Sequence, residues 1–375
     1  MSSSLRRPQL FLTGFFLALI LGVPLTQAGV EIYRGRWPQC FDIFSRPPVE
    51  KNLRSFEGEL ERVSVVSQAL RPRIQYGWFT LGNPGYKAVI GKDGWLFYRP
   101  DVRYLLEPIE EGADPLPTIL DFRDQLQRRG IQLIVLPVPG KPSVYPDQLR
   151  DGAVTGRGRT DGHTQQLIAG LRSAGVETID LLDFFLQLRE RENQAHNSYH
   201  LKRDTHWSGQ AARQAAEIVA NRIQVRGWAP NRRVSYVSRQ IPVQRSGDVL
   251  RMINIPQLEG RFTPETIVRD QVREEATGAF YKDDPNSPLL ILGDSFLRMY
   301  QKDEPLAAGF VAHLARSRGS PVSSIVNDGG ASTLVRQELA RKSEMLKGKT
   351  LVVWEFVERD IRFGAEGWKK IALTQ

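Results

Sequence analysis

Two short stretches of this 375-residue sequence hold residue types able to do covalent chemistry. Gly293-Asp294-Ser295-Phe296 directly follows the apolar run Leu289–Leu292. If that run is a strand of a parallel sheet, the serine stands at its carboxyl end, where such sheets form their sites. Glycine permits the tight turn, and a serine opening a helix presents both its hydroxyl and its backbone N–H. A hydroxyl is a weak nucleophile until a base takes its proton. Histidine, with an unperturbed pKa of about 6.5, suits that task at neutral pH. Tyr199-His200-Leu201-Lys202-Arg203-Asp204-Thr205-His206-Trp207-Ser208 supplies one. In a short loop Asp204 can reach the ring of His206 and hold one tautomer by accepting its second N–H. Plainer readings stand beside this one: Asp294 or Ser295 as a helix cap, and the Asp204–His206 pair as a cap or as metal ligands. No cluster of obvious ligand spacing accompanies the pair, so no metal or other cofactor is expected.

These residues need a scaffold, and hydrophobic periodicity supplies one from about residue 115 onward. Leu116 to Arg129 has a helical pattern with Gly130 as its stop. Ile131 to Val138 is nearly all apolar, the pattern of a strand buried on both faces. Thr164 to Ser173 reads as a helix, followed by a strand at Val176 to Leu182. Ser208 opens a long helix whose Ala212, Ala215, Val219 and Ile223 share one face. Strand Leu289–Leu292, helix Leu306–Arg316, strand Ser324–Val326, helix Thr333–Met345 and strand Thr350–Phe356 complete the series. Such alternation predicts an α/β fold, a flavodoxin-like parallel sheet with helices on both faces. Earlier, Ala88 to Tyr98 reads as a hairpin with Asp93-Gly94 supplying positive φ at the turn. Residues 29–110 otherwise lack a clean period. Residues 228–285, rich in Arg, Pro and Gln, interrupt the alternation as an insertion that periodicity does not place; covering the site is one role for it.

Composition narrows the function classes. An apolar share of 41% and a charged share of 25% exclude a disordered chain and a multi-span membrane protein. Cys40, the single cysteine, excludes an intramolecular disulfide framework and multi-cysteine metal sites. Arg6 and Arg7 precede the apolar run Leu10–Val23, and Thr26-Gln27-Ala28 offers small residues for cleavage before Gly29. Residues 1–28 therefore read as a signal peptide or an uncleaved membrane anchor, although the run is short against the roughly 20 residues a spanning helix needs. Either form carries residues 29–375, read as one domain, across the inner membrane. The net charge is +9, and excess basic charge favours anionic partners such as acidic polysaccharide, with a merely solvated surface as the alternative. No dense basic run or nucleic-acid motif is present, so nucleic acid is not an expected partner.

Five segments in one order resemble the AlgJ/AlgX family of alginate O-acetyltransferases, periplasmic enzymes with an SGNH-type fold. They are Gly91-Lys92-Asp93-Gly94-Trp95-Leu96-Phe97, Pro139-Gly140-Lys141-Pro142-Ser143-Val144-Tyr145-Pro146, Asp204-Thr205-His206-Trp207, Gly293-Asp294-Ser295-Phe296 and Val353-Trp354-Glu355-Phe356-Val357-Glu358-Arg359. The resemblance covers roughly residues 85–365. Most SGNH enzymes carry the serine motif first and the Asp-His pair last; here the motifs are circularly reordered, as in this family. The resemblance implies Ser295 as nucleophile, His206 as general base and Asp204 as its orienting partner. It also implies an acetyl-serine intermediate, an exported polysaccharide as acceptor, and a periplasmic location, anchored to the inner membrane if the N-terminal helix is kept. A membrane-bound O-acyltransferase would supply acetyl groups, and the polysaccharide export complex would be a further partner. The oxyanion hole should use the Ser295 N–H. Asn327, Gly329 and Gly330, after a predicted strand, are candidates for its second donor, with an ordinary turn as the alternative. Lys141 and Tyr145, at another strand end, are candidate substrate contacts, with a plain Pro-rich turn as the alternative. Trp207 and Trp354 read as packing residues, with sugar-stacking platforms as the alternative, Asp294 as a brace for the serine turn, and His163, His196, His200 and His313 as surface or satisfied histidines. The end at Gln375 leaves no room for the carbohydrate-binding module that some family members append, so a modest grip on polymer is expected.

Two other readings use the same residues. A carbohydrate acetylesterase or deacetylase has the same triad and lets water accept the acyl group. A non-catalytic polysaccharide-binding assembly component is the third reading; it leaves the three reactive residues without a role.

Overall fold

The structure, a computed structural model, describes residues 6–45, 47, 49–109, 113–152, 158–189, 198–228, 233–328, 330–363 and 367–373. Its strands are β1 (Ala88–Ile90), β2 (Leu96–Tyr98), β3 (Gln132–Val138), β4 (Glu177–Thr178), β5 (Tyr236–Arg245), β6 (Glu265–Glu274), β7 (Leu289–Gly293), β8 (Ser323–Val326) and β9 (Leu351–Val357). Five of them form a parallel sheet in the order β4-β3-β9-β7-β8. The largely apolar runs of β3, β7 and β9 follow from burial on both faces. Ile134, Leu136, Val138, Ile291 and Val353 face one layer, packed on helices Gly209–Val225 and Phe310–Arg318. Leu133, Val135, Leu290, Leu292, Val352 and Trp354 face the other, against helices Leu116–Gln127 and Leu334–Arg341. Each fully buried Val, Leu or Ile in these layers contributes about 1.5–3 kcal/mol.

The last strand in the chain, β9, lies in the middle of the sheet. On one side β3 leads outward to β4, and on the other β7 leads outward to β8. The strand order therefore reverses at β9, which opens a crevice at the carboxyl ends of β3, β9 and β7. Lys141 follows β3, Ser295 follows β7 and Glu358-Arg359 follow β9.

The hairpin forms as predicted: β1 pairs with β2, and Asp93 and Gly94 both have positive φ, 48° and 79°. Elsewhere the elements are shorter than the periodicity suggests. The strand expected at Val176–Leu182 contracts to β4, because Asp180 Oδ1 accepts from the Leu182 N–H and turns the chain into helix Leu182–Arg189. The helix expected at Leu306 begins only at Phe310. Before it, Ala307 has φ 57° and the N–H groups of Ala307 and Ala308 donate back to Gln301 and Tyr300 carbonyls. The helix expected over Thr333–Met345 ends at Arg341 and continues as a 3-10 turn, Ser343–Leu346.

The insertion holds a two-stranded antiparallel ribbon. β5 and β6 pair over ten residues, from Tyr236 opposite Glu274 to Arg245 opposite Glu265. Most of β5 is exposed or half-exposed, so its sequence lacks the alternation that marks a half-buried strand.

The chain divides into two compact units, residues 1–83 with 254–258, and residues 84–253 with 259–375. The first unit holds helices Arg6–Tyr33, Glu50–Val63 and Val65–Thr80. Its Leu10–Tyr33 stretch, 24 residues, is long and apolar enough to cross a membrane, a test a signal sequence also passes. The run is longer than the sequence pattern suggests, because the helix continues without interruption through Thr26-Gln27-Ala28.

Candidate active site

The serine turn is built from its own neighbours. Gly293 ends β7 where a Cβ would lie 2.2 Å from Glu355 Oε2 and 2.4 Å from Leu297 Cδ1, so only glycine fits. Asp294 accepts from the Phe296 N–H at 2.8 Å and caps the four-residue helix Ser295–Arg298. Glu355, from β9, accepts from the Asp294 N–H at 3.1 Å. Burial, and then the neighbouring Asp294 carboxyl, hold Glu355 well above the usual carboxylate range. Among the described residues nothing accepts from the Ser295 N–H.

The histidine loop is closed at its base by an antiparallel bridge between His200 and Trp207 and by the Ser208 N–H donating to Tyr199 O. Ser208 then caps the long helix by accepting from the Ala211 N–H. Within the loop, Asp204 Oδ1 lies 2.7 Å from His206 Nδ1 and accepts from the His206 backbone N–H at 3.1 Å. His206 Nε2 lies 2.9 Å from Ser295 Oγ. Trp207 ties the loop to the serine turn by donating to Phe296 O at 3.0 Å. The two motifs, 89 residues apart in sequence, are thus brought together.

Burial disfavours charge on His206, but the hydrogen bond to Asp204 and the Asp248 carboxylate 3.3 Å from Nδ1 outweigh it and lift its pKa to about 9. Burial would raise Asp204, yet the His206 bond and the Arg245 guanidinium hold it well below the usual carboxylate range. Asp204, His206 and Asp248 each bring a ligand-type atom within 4.8 Å of the others. The imidazole Nδ1 occupies the space between the two carboxylates, and Arg245 covers the outer oxygen of Asp204. The arrangement is that of a hydrogen-bonded imidazole.

Two expected substrate contacts take interior roles instead. Lys141 is fully buried, and its ammonium donates to the carbonyls of Leu201, Lys202 and Asp204 at 3.0, 3.0 and 2.6 Å. Burial lowers its pKa to about 8. Tyr145, also buried, accepts from the Tyr199 N–H at 2.8 Å. Both hold the histidine loop from beneath. Of the second oxyanion candidates, the Asn327 N–H donates to Gly293 O and the Gly330 N–H to Asn327 O, so both backbone donors face the chain. Gly329 lies outside the described residues, as does His196. Trp207 and Trp354 are fully buried, and Trp354 donates to Ala331 O. His163 sits 3.0 Å from Glu107 O. Burial pushes His200 well below the ordinary imidazole value and His313 to about 3.

Ser295 and His206 open on a cleft of about 740 Å³. Four arginines line it. Arg245 pairs with Asp204, Arg298 with Asp303 and Asp328, and Arg359 with Asp101. Arg251, exposed on helix Asp248–Ile253, has no carboxylate partner among the described residues. Arg245 and Asp248 escaped the sequence reading because they belong to the insertion; the Gly247-Asp248 break in an otherwise extended, Arg-rich stretch was the one local signal. Glu358 and Arg359 were legible only as part of a motif. Glu358, pushed up to about 8 by burial, accepts from the Gly140 N–H at 2.8 Å and so fixes the turn that starts at β3.

The parallel sheet and the serine at its carboxyl edge place the protein in the SGNH-like group of α/β folds. Residues 88–358 match the family described as SGNH hydrolase-like domain, acetyltransferase AlgX, and the chain belongs to that family. The probable alginate O-acetylase AlgJ of Azotobacter vinelandii is 26% identical over 298 residues, 76% of this chain and 72% of the relative. The alginate biosynthesis protein AlgX of Pseudomonas aeruginosa is 23% identical over 276 residues, 72% of this chain and 55% of that protein. The solved O-acetyltransferase domain of Pseudomonas putida AlgJ superposes with a TM-score of 0.60 at 23% identity, covering 74% of this chain and 93% of that one.

Proposed function

We propose that this chain is a periplasmic O-acetyltransferase that modifies an exported polysaccharide, alginate or a related exopolysaccharide, through an acetyl-Ser295 intermediate. The observation that carries the reading is the continuous line of hydrogen bonds from Ser295 Oγ through His206 to Asp204 at the floor of the cleft. His206 Nε2 takes the serine proton as Oγ bonds to the acetyl carbon of the donor. The imidazolium, stabilised by Asp204, then protonates the departing oxygen as the donor's ester bond breaks. In the second half, a sugar hydroxyl loses its proton to His206 while its oxygen attacks acetyl-Ser295. The serine oxygen leaves and recovers a proton from the same nitrogen. The Ser295 N–H stabilises the oxyanion in both halves.

A membrane-bound O-acyltransferase is the proposed acetyl source, and the export complex the proposed site of work. The helix Leu10–Tyr33 supports delivery to the membrane, as signal or anchor. The unpaired Arg251 at the cleft suits a polyanionic acceptor. The test is peptide mass spectrometry after incubation with an activated acetyl ester. One acetyl group on the Ser295 peptide, discharged when an alginate oligosaccharide is added and recovered on the sugar, is expected. A folded protein that takes no label would sink the reading. Free acetate in place of acetylated sugar would turn it to the esterase.

A further inference from the structure

The β5–β6 ribbon meets the histidine loop at its tip, and it does so backbone to backbone. Gly247 has φ 91°, and a Cβ there would lie 2.2 Å from Arg203 O. The Val249 N–H donates to that same carbonyl at 3.1 Å. From this seat the tip touches all three residues of the Asp204–His206 segment. Arg245 Nε donates to Asp204 Oδ2 at 3.1 Å, and the Asp248 N–H reaches the same oxygen at 3.3 Å. Asp248 accepts from the Thr205 N–H at 2.6 Å and from the Thr205 hydroxyl at 2.5 Å. Its Oδ2 also lies 3.3 Å from His206 Nδ1, beside the 2.7 Å contact to Asp204.

We infer that Asp248 is a positioning residue for His206, a second carboxylate delivered by the insertion that holds the imidazole on the edge away from Ser295. The inference rests on the acyl-transfer reading above. A base held by one carboxylate can swing about that bond; a second acceptor on the same edge removes the freedom. The second carboxylate also stabilises the imidazolium, so the ring keeps its proton to higher pH. The charged and titratable groups facing the ring are few. Asp204 and Asp248 bind its Nδ1 edge, Arg245 offsets Asp204, Lys141 lies behind the loop, His200 is buried beside it, and Asp294 lies across the serine turn. The raised pKa of about 9 agrees with the carboxylates outweighing burial.

Only a neutral imidazole can take the serine proton, so the rate should rise with pH along an acid limb set by His206. The test is the pH dependence of kcat/KM for a small neutral acetyl ester, measured on the full chain. In the native protein the limb should lie well above the ordinary imidazole value. Asp248→Asn should lower it by about one pH unit, so that the rate at pH 7, relative to its own alkaline plateau, rises about tenfold. The plateau should fall at the same time, because the ring is less firmly held. Asp248→Glu, which keeps the charge, should leave the limb near its native place. Arg245→Gln, which removes a positive charge from Asp204, should move it the other way. An unmoved limb in Asp248→Asn would overturn the inference and leave Asp248 as a brace of the loop. If that variant fails to fold, Asp248→Ser, which keeps an acceptor for the Thr205 N–H, takes its place. Full turnover by Ser295→Ala would sink the acyl-transfer reading separately; the His206 titration followed by NMR in that variant still measures the effect of Asp248.

Discussion

The serine turn and the histidine loop meet at 2.9 Å, yet they are held in opposite ways. Ser295 is placed by residues next to it: Gly293 allows the close approach, Asp294 caps the turn, and one partner strand, β9, closes it from behind. His206 is held by Asp204, two residues away, but its loop is placed by residues far from it. Lys141 pins its loop from beneath, 63 residues away, and Arg245 and Asp248 grip it from the insertion, 41 and 43 residues away from Asp204 and Thr205. A nucleophile needs one hydroxyl at a strand end, which a short motif can supply. A base needs a ring fixed in tautomer and direction, which requires partners on more than one side. On the proposed roles, Ser295 should therefore fail chemically when changed, and His206 should fail through its supports.

The sharpest contrast comes from Ser295→Ala. It should cut ester turnover by about 10⁴-fold or more while leaving the melting temperature unchanged, since the serine has no structural duty beyond its hydroxyl. A folded variant with native turnover would break the comparison at its root. Lys141→Met should act in the reverse sense. Removing the buried ammonium takes a donor from three carbonyls, of which, among the described residues, only that of Lys202 keeps another, the Leu96 N–H, at a cost of about 3 kcal/mol seen by chemical denaturation, and activity should fall with it. A variant as stable as the native protein would show that the loop does not depend on this lysine. Gly247→Ala should be milder in stability, about 1–3 kcal/mol from backbone strain. It should still lower kcat about tenfold or more, because it unseats the ribbon tip from Arg203. Equal kcat in this variant would detach the ribbon from catalysis. The smallest effect is expected for Arg251→Ala, outside both regions. KM for a polyanionic acceptor should rise about three- to tenfold, with a lesser change for a neutral ester, and the difference should fade in high salt. A salt-independent effect would argue against charge as its cause.

The sheet and the two reactive motifs were legible in the sequence for a common reason. β3, β7 and β9 are buried on both faces and read as nearly all-apolar runs, interrupted by Glu355 in β9 and opened by Gln132 in β3. The edge strand β4 and the half-exposed ribbon β5–β6 carry no such pattern, and both were misjudged or left unplaced. Ser295, His206 and Asp204 stand out in the sequence because each belongs to a compact motif, and the structure brings the three side chains together. Lys141 is visible in the sequence but its role is not: a lysine at a strand's carboxyl end fits a substrate contact as well as a Pro-rich turn until three carbonyls are seen around it. The same holds for Asn327 and Gly330, whose N–H groups look free in sequence and are engaged in the fold.

The sequence by itself determined the alternation of strand and helix, the two motifs that hold Ser295 and the Asp204–His206 pair, and the apolar N-terminal segment. These depend on side-chain type and on spacings of a few residues. Only the tertiary structure decided that β9 returns to the centre of the sheet, that the insertion reaches back to the histidine loop, and that Asp248 joins Asp204 at the imidazole. Those outcomes depend on contacts between segments tens to hundreds of residues apart, where charge and burial exist only once the chain has folded. A carboxylate in an Arg-rich stretch has the same letter whether it faces water or His206; the low-dielectric surroundings that give it leverage on the ring are made by packing.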